Sequence, residues 1–173
     1  MAFVRTKRVG GGEYFQLVEN YREGGKVRQR VLAHLGRYPT VEAAIEESER
    51  GLEWQRSRAE RDRARAQSEL DYWRSWRGAE AEIPRPVPGE RVLWWRSQRQ
   101  YWDALDRADK GERRAAALEE KLTTLRALMA SGKARPDPPE EKARRARERE
   151  AERERYEALR PKREALEEML RVW

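Results

Sequence analysis

Tyr14-Phe15-Gln16-Leu17-Val18-Glu19-Asn20-Tyr21-Arg22, Glu23-Gly24-Gly25 and Lys26-Val27-Arg28-Gln29-Arg30-Val31 form the stretch on which the fold of this chain turns. Aromatic and β-branched residues flank a glycine pair that tolerates positive φ, the pattern of a tight hairpin. Upstream, Gly10-Gly11-Gly12 repeats the signal after Ala2 to Val9. The spacing therefore predicts strands at Ala2–Val9, Tyr14–Arg22 and Lys26–Leu35 in an antiparallel meander. Alternation places Val4, Phe15, Leu17, Tyr21, Val27, Val31 and Ala33 on one side, and Arg5, Lys7, Gln16, Asn20, Arg28 and Arg30 on the other. Glu19 and Gln29 do not fit the apolar side.

A lone three-stranded sheet needs a cover for its apolar face. Gly36 and Pro39 end the third strand, and Thr40 is a fitting N-cap for a helix opening at Val41. That helix runs to about Arg77, with Ile45, Leu52, Ala59, Ala66 and Trp73 at seven-residue spacing. Its first turns can lie on the sheet, whereas residues 51–77, rich in charge, are expected to project. Gly78 to Gly89, with Pro84, Pro86 and Pro88, reads as a connector. A second helix is predicted from Glu90 to Ser131, with a phase slip in its apolar repeat, and so a kink or stutter, around Gly111. A third spans Glu140 to Trp173, bent at Pro161, with an apolar stripe only in its second half. The fold class is α+β: a sheet-and-helix module at residues 1–50, the projecting helix, the connector at 78–89, and a helical hairpin or coiled coil at 90–173.

Composition narrows the function. Charged residues make up 41% of the 173, hydrophobic ones 38%, and the mean hydropathy is −1.15. Such a mixture suits long solvated helices, and no apolar run is long enough to span a membrane. With no Cys and one His, thiolate nucleophiles, disulfides, thiolate metal sites and almost every imidazole-based mechanism are excluded. No Asp or Glu stands beside that His, and the glycine runs lack the spacing of a phosphate-binding loop. The expected protein is cytoplasmic, needs no cofactor or metal, and is not an enzyme.

The net charge of +7 is unevenly placed: residues 1–40 hold eight Lys/Arg against three Asp/Glu, and the rest is nearly balanced. A local excess of this kind is what a phosphate backbone selects. Arg5, Lys7, Arg28 and Arg30 would bring cations to the strand edges, with Gln16 and Asn20 as amide readers between them and His34 as either a structural side chain or a further phosphate contact. That is the chemistry of a sheet reading duplex DNA in a groove. A solvated basic face would look the same in sequence. A second feature is aromatic. Trp73 and Trp76 end one helix and Trp94, Trp95 and Trp102 open the next, with Tyr72 and Tyr101 nearby, either as a lock between helices or as a docking patch for a partner protein.

The strand motifs also carry a resemblance. Phe3-Val4-Arg5, the Tyr14–Arg22 run, Gly25 to Val31, and Leu35-Gly36 resemble the N-terminal segment of DDE insertion-sequence transposases. The strand-strand-strand-helix order, with Gly36-Arg37-Tyr38-Pro39-Thr40 opening the helix, is similar to AP2-like arm-binding domains of phage integrases. The resemblance covers residues 1–45 and implies sequence-specific DNA binding through the sheet. Nothing after residue 45 looks like a ribonuclease-H-like core or a tyrosine-recombinase domain, so catalysis is not carried over. The expectation is a non-enzymatic, nucleoid-associated protein of a bacterium or mobile element, with duplex DNA as partner and helices for homodimerisation or a larger complex. The alternatives are an adaptor working through its coiled coil and Trp cluster, and an RNA- or ribonucleoprotein-binding protein using the same basic face.

Overall fold

The computed structural model describes residues 2–85 and 96–171, with side chains at 2–85 and 98–161. Three strands, β1 (Ala2–Val9), β2 (Gly12–Glu23) and β3 (Lys26–Gly36), form one antiparallel sheet in the order β1-β2-β3. The pairs Val9↔Gly12 and Glu23↔Lys26 each close a two-residue loop. Gly10-Gly11 and Gly24-Gly25 share the φ values 57° and 79°, the left-handed pair that matches the twist of a hairpin. Both predicted hairpins are present.

The register of β3 differs from simple alternation. Between Phe15↔Gly36 and Gln16↔His34, and between Leu17↔Ala33 and Val18↔Val31, β3 carries an extra residue, Leu35 and Leu32 respectively. Each bulge shifts the inside–outside parity of the strand residues beyond it. Ala33 stays beside Leu17 as predicted, but Val31 and Val27 pair with Val18 and Arg22 and move to the opposite face. Arg30 and Arg28 pair with Glu19 and Tyr21 on the face of Leu17. The expectation that Arg28 and Arg30 share a face with Arg5, Lys7, Gln16 and Asn20 is thus corrected. The two misfits are resolved by the same shift: Glu19 lies beside Arg30, and Gln29 lies on the polar face.

The bulged leucines are used in the core. Leu35 is fully buried and clusters with Leu17, Val41, Ala44, Leu125 and Ala134, with Leu32, Phe15, Tyr38 and Ile45 packed around them. Val41 and Ala44 come from the start of α1 (Val41–Arg77), where Thr40 Oγ1 accepts a hydrogen bond from the Ala43 N–H at 3.2 Å. Leu125 comes from the far end of α2 (Arg96–Ala130). After α2, Gly132 turns at φ 67° and the Ala134 N–H donates to Leu128 O at 3.1 Å, which brings Ala134 back to the sheet. Helix α1 opens on this core and α2 ends on it.

Helices α1 and α2 pair antiparallel along most of their length. Arg126 meets Glu49 at 2.7 Å, Arg56 pairs with Glu119, and Arg63 meets Glu112 at 2.6 Å. The three pairs advance by seven residues on each helix and form a ladder along one flank. Residues 51–77, expected to project from the sheet-and-helix module, run alongside α2, and α1 and α2 form a helical hairpin. Helix α2 runs unbroken through Gly111, where a kink or stutter was predicted. Its inward positions, Ala104, Ala108, Gly111, Ala115, Leu118, Leu122 and Leu125, keep a continuous alternation of three and four residues. Gly111 packs directly against α1: a Cβ there would lie 3.2 Å from Ala59 Cβ and 3.5 Å from Gln55 O. Pro86, Pro88 and the predicted helix start at Glu90–Trp95 lie outside the described residues.

Pro136–Trp173 forms a separate unit. It contains α3 (Pro139–Arg171), which has Pro161 within its run, and Arg145 closes back on the buried Asp137 at 2.5 Å ahead of the helix.

Candidate nucleic-acid interface

The register sorts the charges of the sheet. Glu13, Glu19 and Glu23 are its three acidic residues, and all lie on the face that the helices cover at its centre. Each has a basic partner: Arg8 with Glu13 at 2.9 Å, Arg30 with Glu19 at 2.5 Å, and Arg28 with Glu23 at 3.0 Å. Glu19 also has Lys133 at 3.7 Å, delivered by the turn after α2. The Arg30 hydrogen bond, helped by Lys133, holds the Glu19 carboxyl below its usual range. Arg28 and Arg30, two of the predicted DNA contacts, are engaged on this side.

The opposite face carries no carboxylate. Arg5, Lys7 and Arg22 are its cations, and Gln16, Asn20, Gln29 and His34 its polar side chains, arranged around Phe3, Val18 and Val31. Val18 is fully buried between its register partners Phe3 and Val31, which are themselves 40% and 43% exposed. The face thus has an apolar centre surrounded by these polar side chains and by the exposed Val9, Tyr14 and Val27, and is open to solvent.

Within it runs a hydrogen-bonded chain. Arg5 Nη2 donates to Gln16 Oε1 at 2.7 Å and Arg5 Nη1 to Gln29 Oε1 at 3.0 Å, so one guanidinium on an edge strand bridges the central strand and the other edge. Because a guanidinium only donates, it fixes the oxygen of Gln16 towards itself and turns the amide nitrogen to His34 Nδ1 at 3.1 Å. Lys7, Asn20 and Arg22 are exposed and have no ion pair or side-chain hydrogen bond among the described residues. Of the predicted site, Arg5, Lys7, Gln16, Asn20 and His34 are brought together. Gln16, expected to offer its amide to a base, is buried and already paired.

Residues 3–68 match the IS1634 family transposase, N-terminal domain. The transposase-like segment takes in the whole of β2 and β3, nearly all of β1, and α1 as far as Ser68, well under half of the 173 residues. It agrees with the resemblance carried by the strand motifs, extends it past residue 45, and relates the chain to mobile elements. No curated protein and no solved structure matches the chain.

Sequence reasoning missed two polar residues of the open face of this transposase-like segment, Arg22 and Gln29. Arg22 was legible, since it shares the parity of Gln16 and Asn20 on β2. Gln29 was visible only as a misfit until the bulge at Leu32 was known. The predicted partner-binding aromatics fall elsewhere. Tyr72 meets Trp76 edge-to-face at 5.9 Å, and Arg77 lies over Trp73. Trp102 donates from Nε1 to Pro84 O at 2.9 Å, beneath Arg85 and against Tyr101. Trp94 and Trp95 lie outside the described residues. Among those residues no group of His, Asp and Glu could hold a metal ion, and no helix is long and apolar enough to cross a membrane.

Proposed function

We propose that this chain is a non-catalytic duplex-DNA-binding protein of a mobile element, acting at the bacterial nucleoid through the carboxylate-free face of its sheet. One observation carries the reading: every acidic side chain of the sheet is on the other face, neutralised, while Lys7, Asn20 and Arg22 stand exposed on this one. A phosphate backbone is attracted by cations that no carboxylate opposes, and a sheet presenting them can enter a groove. The match of residues 3–68 to a transposase N-terminal domain supports duplex DNA as the partner. The α1–α2 hairpin uses its apolar repeat within one chain and acts as a stiff extension of the module.

The test is fluorescence anisotropy of a labelled random-sequence duplex titrated with the full chain at low salt. Binding in the micromolar range typical of non-specific complexes is expected, about 10⁻⁴ to 10⁻⁶ M at physiological salt and tighter below it. Lys7→Glu/Arg22→Glu abolishes it. Failure of the folded wild type to bind, or undiminished binding by the variant, overturns the proposal. A single-stranded RNA that outcompetes the duplex would move the assignment to RNA.

A partner-docking role has its own support in Trp76, 75% exposed, beside Tyr72, 55% exposed. Trp76→Ala separates the two functions, because it leaves duplex affinity unchanged if docking is distinct from DNA binding.

A further inference from the structure

We infer that Arg5 is the base-reading residue of the open sheet face, held flat by Gln16 and Gln29 to present its remaining N–H donors to the O6/N7 edge of a guanine. The inference rests on the DNA-binding reading and assigns the specificity within it.

An arginine on an edge strand normally swings freely, yet the Arg5 guanidinium is tied at both Nη atoms, at 2.7 Å to β2 and 3.0 Å to β3. These anchors are the carbonyl oxygens of two amides, and Gln16 is itself oriented by His34. Gln16 and Asn20 flank Val18 on β2, and Gln29 lies opposite Asn20, so a group bridging Gln16 to Gln29 crosses the middle of the sheet at the level of Val18. A cation fixed there cannot follow a winding backbone. Lys7 and Arg22 can, being exposed, at either end of the face and without an ion pair among the described residues. A planar fork with its direction set in advance matches the paired acceptors of guanine in the major groove, and fixing it before binding removes part of the ordering cost. Neutral amides fit this role: they orient the guanidinium without neutralising it, as a carboxylate would.

The experiment selects a preferred site from random-sequence duplex with the full-length wild type, then replaces each guanine of that site by 7-deazaguanine, which lacks the N7 acceptor. One replacement is expected to cost the wild type about 5- to 150-fold in affinity, the range of a bidentate base contact. Gln29→Leu, which keeps the cation but unties one Nη, is expected to lose most of that discrimination while retaining salt-dependent binding. Its thermal melt reports whether the sheet is intact, and Arg5→Lys, which keeps charge without the fork, provides a second variant. If the wild type binds duplex but no deaza substitution matters, or if both variants keep the wild-type preference, Arg5 is only a strap across the strands and the inference fails while DNA binding stands. If Arg5-dependent affinity instead disappears on methylphosphonate substitution of the backbone, it is a phosphate contact and the inference fails likewise. If the folded wild type binds no duplex, the functional reading fails and takes the inference with it.

Discussion

Two double variants, Lys7→Ala/Arg22→Ala and Arg28→Ala/Arg30→Ala, remove the same formal charge from the same small sheet and should behave differently on DNA. The logarithm of affinity falls with the logarithm of salt by about 0.9 for each phosphate neutralised. Lys7 and Arg22 are exposed on the carboxylate-free face, so losing both should make the slope shallower by about 1.8. Over a rise from about 50 to 200 mM salt, two such contacts account for about a 12-fold loss of wild-type affinity, a loss the variant no longer shows. Arg28 and Arg30 face Glu23 and Glu19 on the other side, at 3.0 Å and 2.5 Å, and their removal should leave the slope unchanged. Arg30→Ala should instead lower thermal stability slightly, because Glu19 keeps only Lys133. The assay is duplex anisotropy at four salt concentrations for wild type and both variants, with melts to confirm folding. An Arg28/Arg30 variant that flattens the slope as much as the Lys7/Arg22 variant would refute the register argument.

The α1–α2 seam yields a contrast between two glycines. Alanine at either position recovers about 1 kcal/mol of helix propensity. At Gly51 the new Cβ meets only the terminal methyl Leu118 Cδ1 at 3.3 Å, which can turn aside, so Gly51→Ala should raise the melting temperature. At Gly111 it meets Ala59 Cβ at 3.2 Å with the α1 backbone behind it, and overpacking of about 1–3 kcal/mol should make Gly111→Ala neutral or destabilising. Equal shifts in the two variants, read by urea or thermal unfolding, would contradict the packing described. The ion-pair ladder gives a pH dependence. The Arg63 hydrogen bond holds the Glu112 carboxyl below its usual value near 4.5, so its stabilisation is present above that pH and is lost as the pH falls through the lowered folded value. The melting-temperature gap between wild type and Glu112→Gln should therefore be largest near neutrality and close in acid. A gap that widens below pH 4.5 would reverse the sign of the argument.

Much of this fold could be read from local chemistry, because glycine pairs, β-branched runs and Thr40 act within a few residues of themselves. The bulges could not. They are single-residue insertions with no composition of their own, and the clue, Leu32 out of phase with Val31 and Ala33, has meaning only once β2 is laid alongside. The consequence reached the site: two arginines changed faces, and Gln29 turned from an anomaly into an anchor of Arg5. The pairing of α1 with α2 was hidden for a related reason. The complementary charges of Glu49 and Arg126, Arg56 and Glu119, and Arg63 and Glu112 are far apart in sequence, and only the antiparallel alignment relates them. Gly111 was misread because the apolar repeats on its two sides read as out of step, and only the neighbouring helix shows that Gly111 itself is an inward position between Ala108 and Ala115.

The binding face is tested most directly by titrating the isotopically labelled full chain with duplex DNA and following its resonances. Changes concentrated at Arg5, Lys7, Asn20, Arg22 and His34, with Arg8, Arg28 and Arg30 little altered, are the predicted result. Changes centred on Arg28 and Arg30, or on Tyr72 and Trp76, would contradict it.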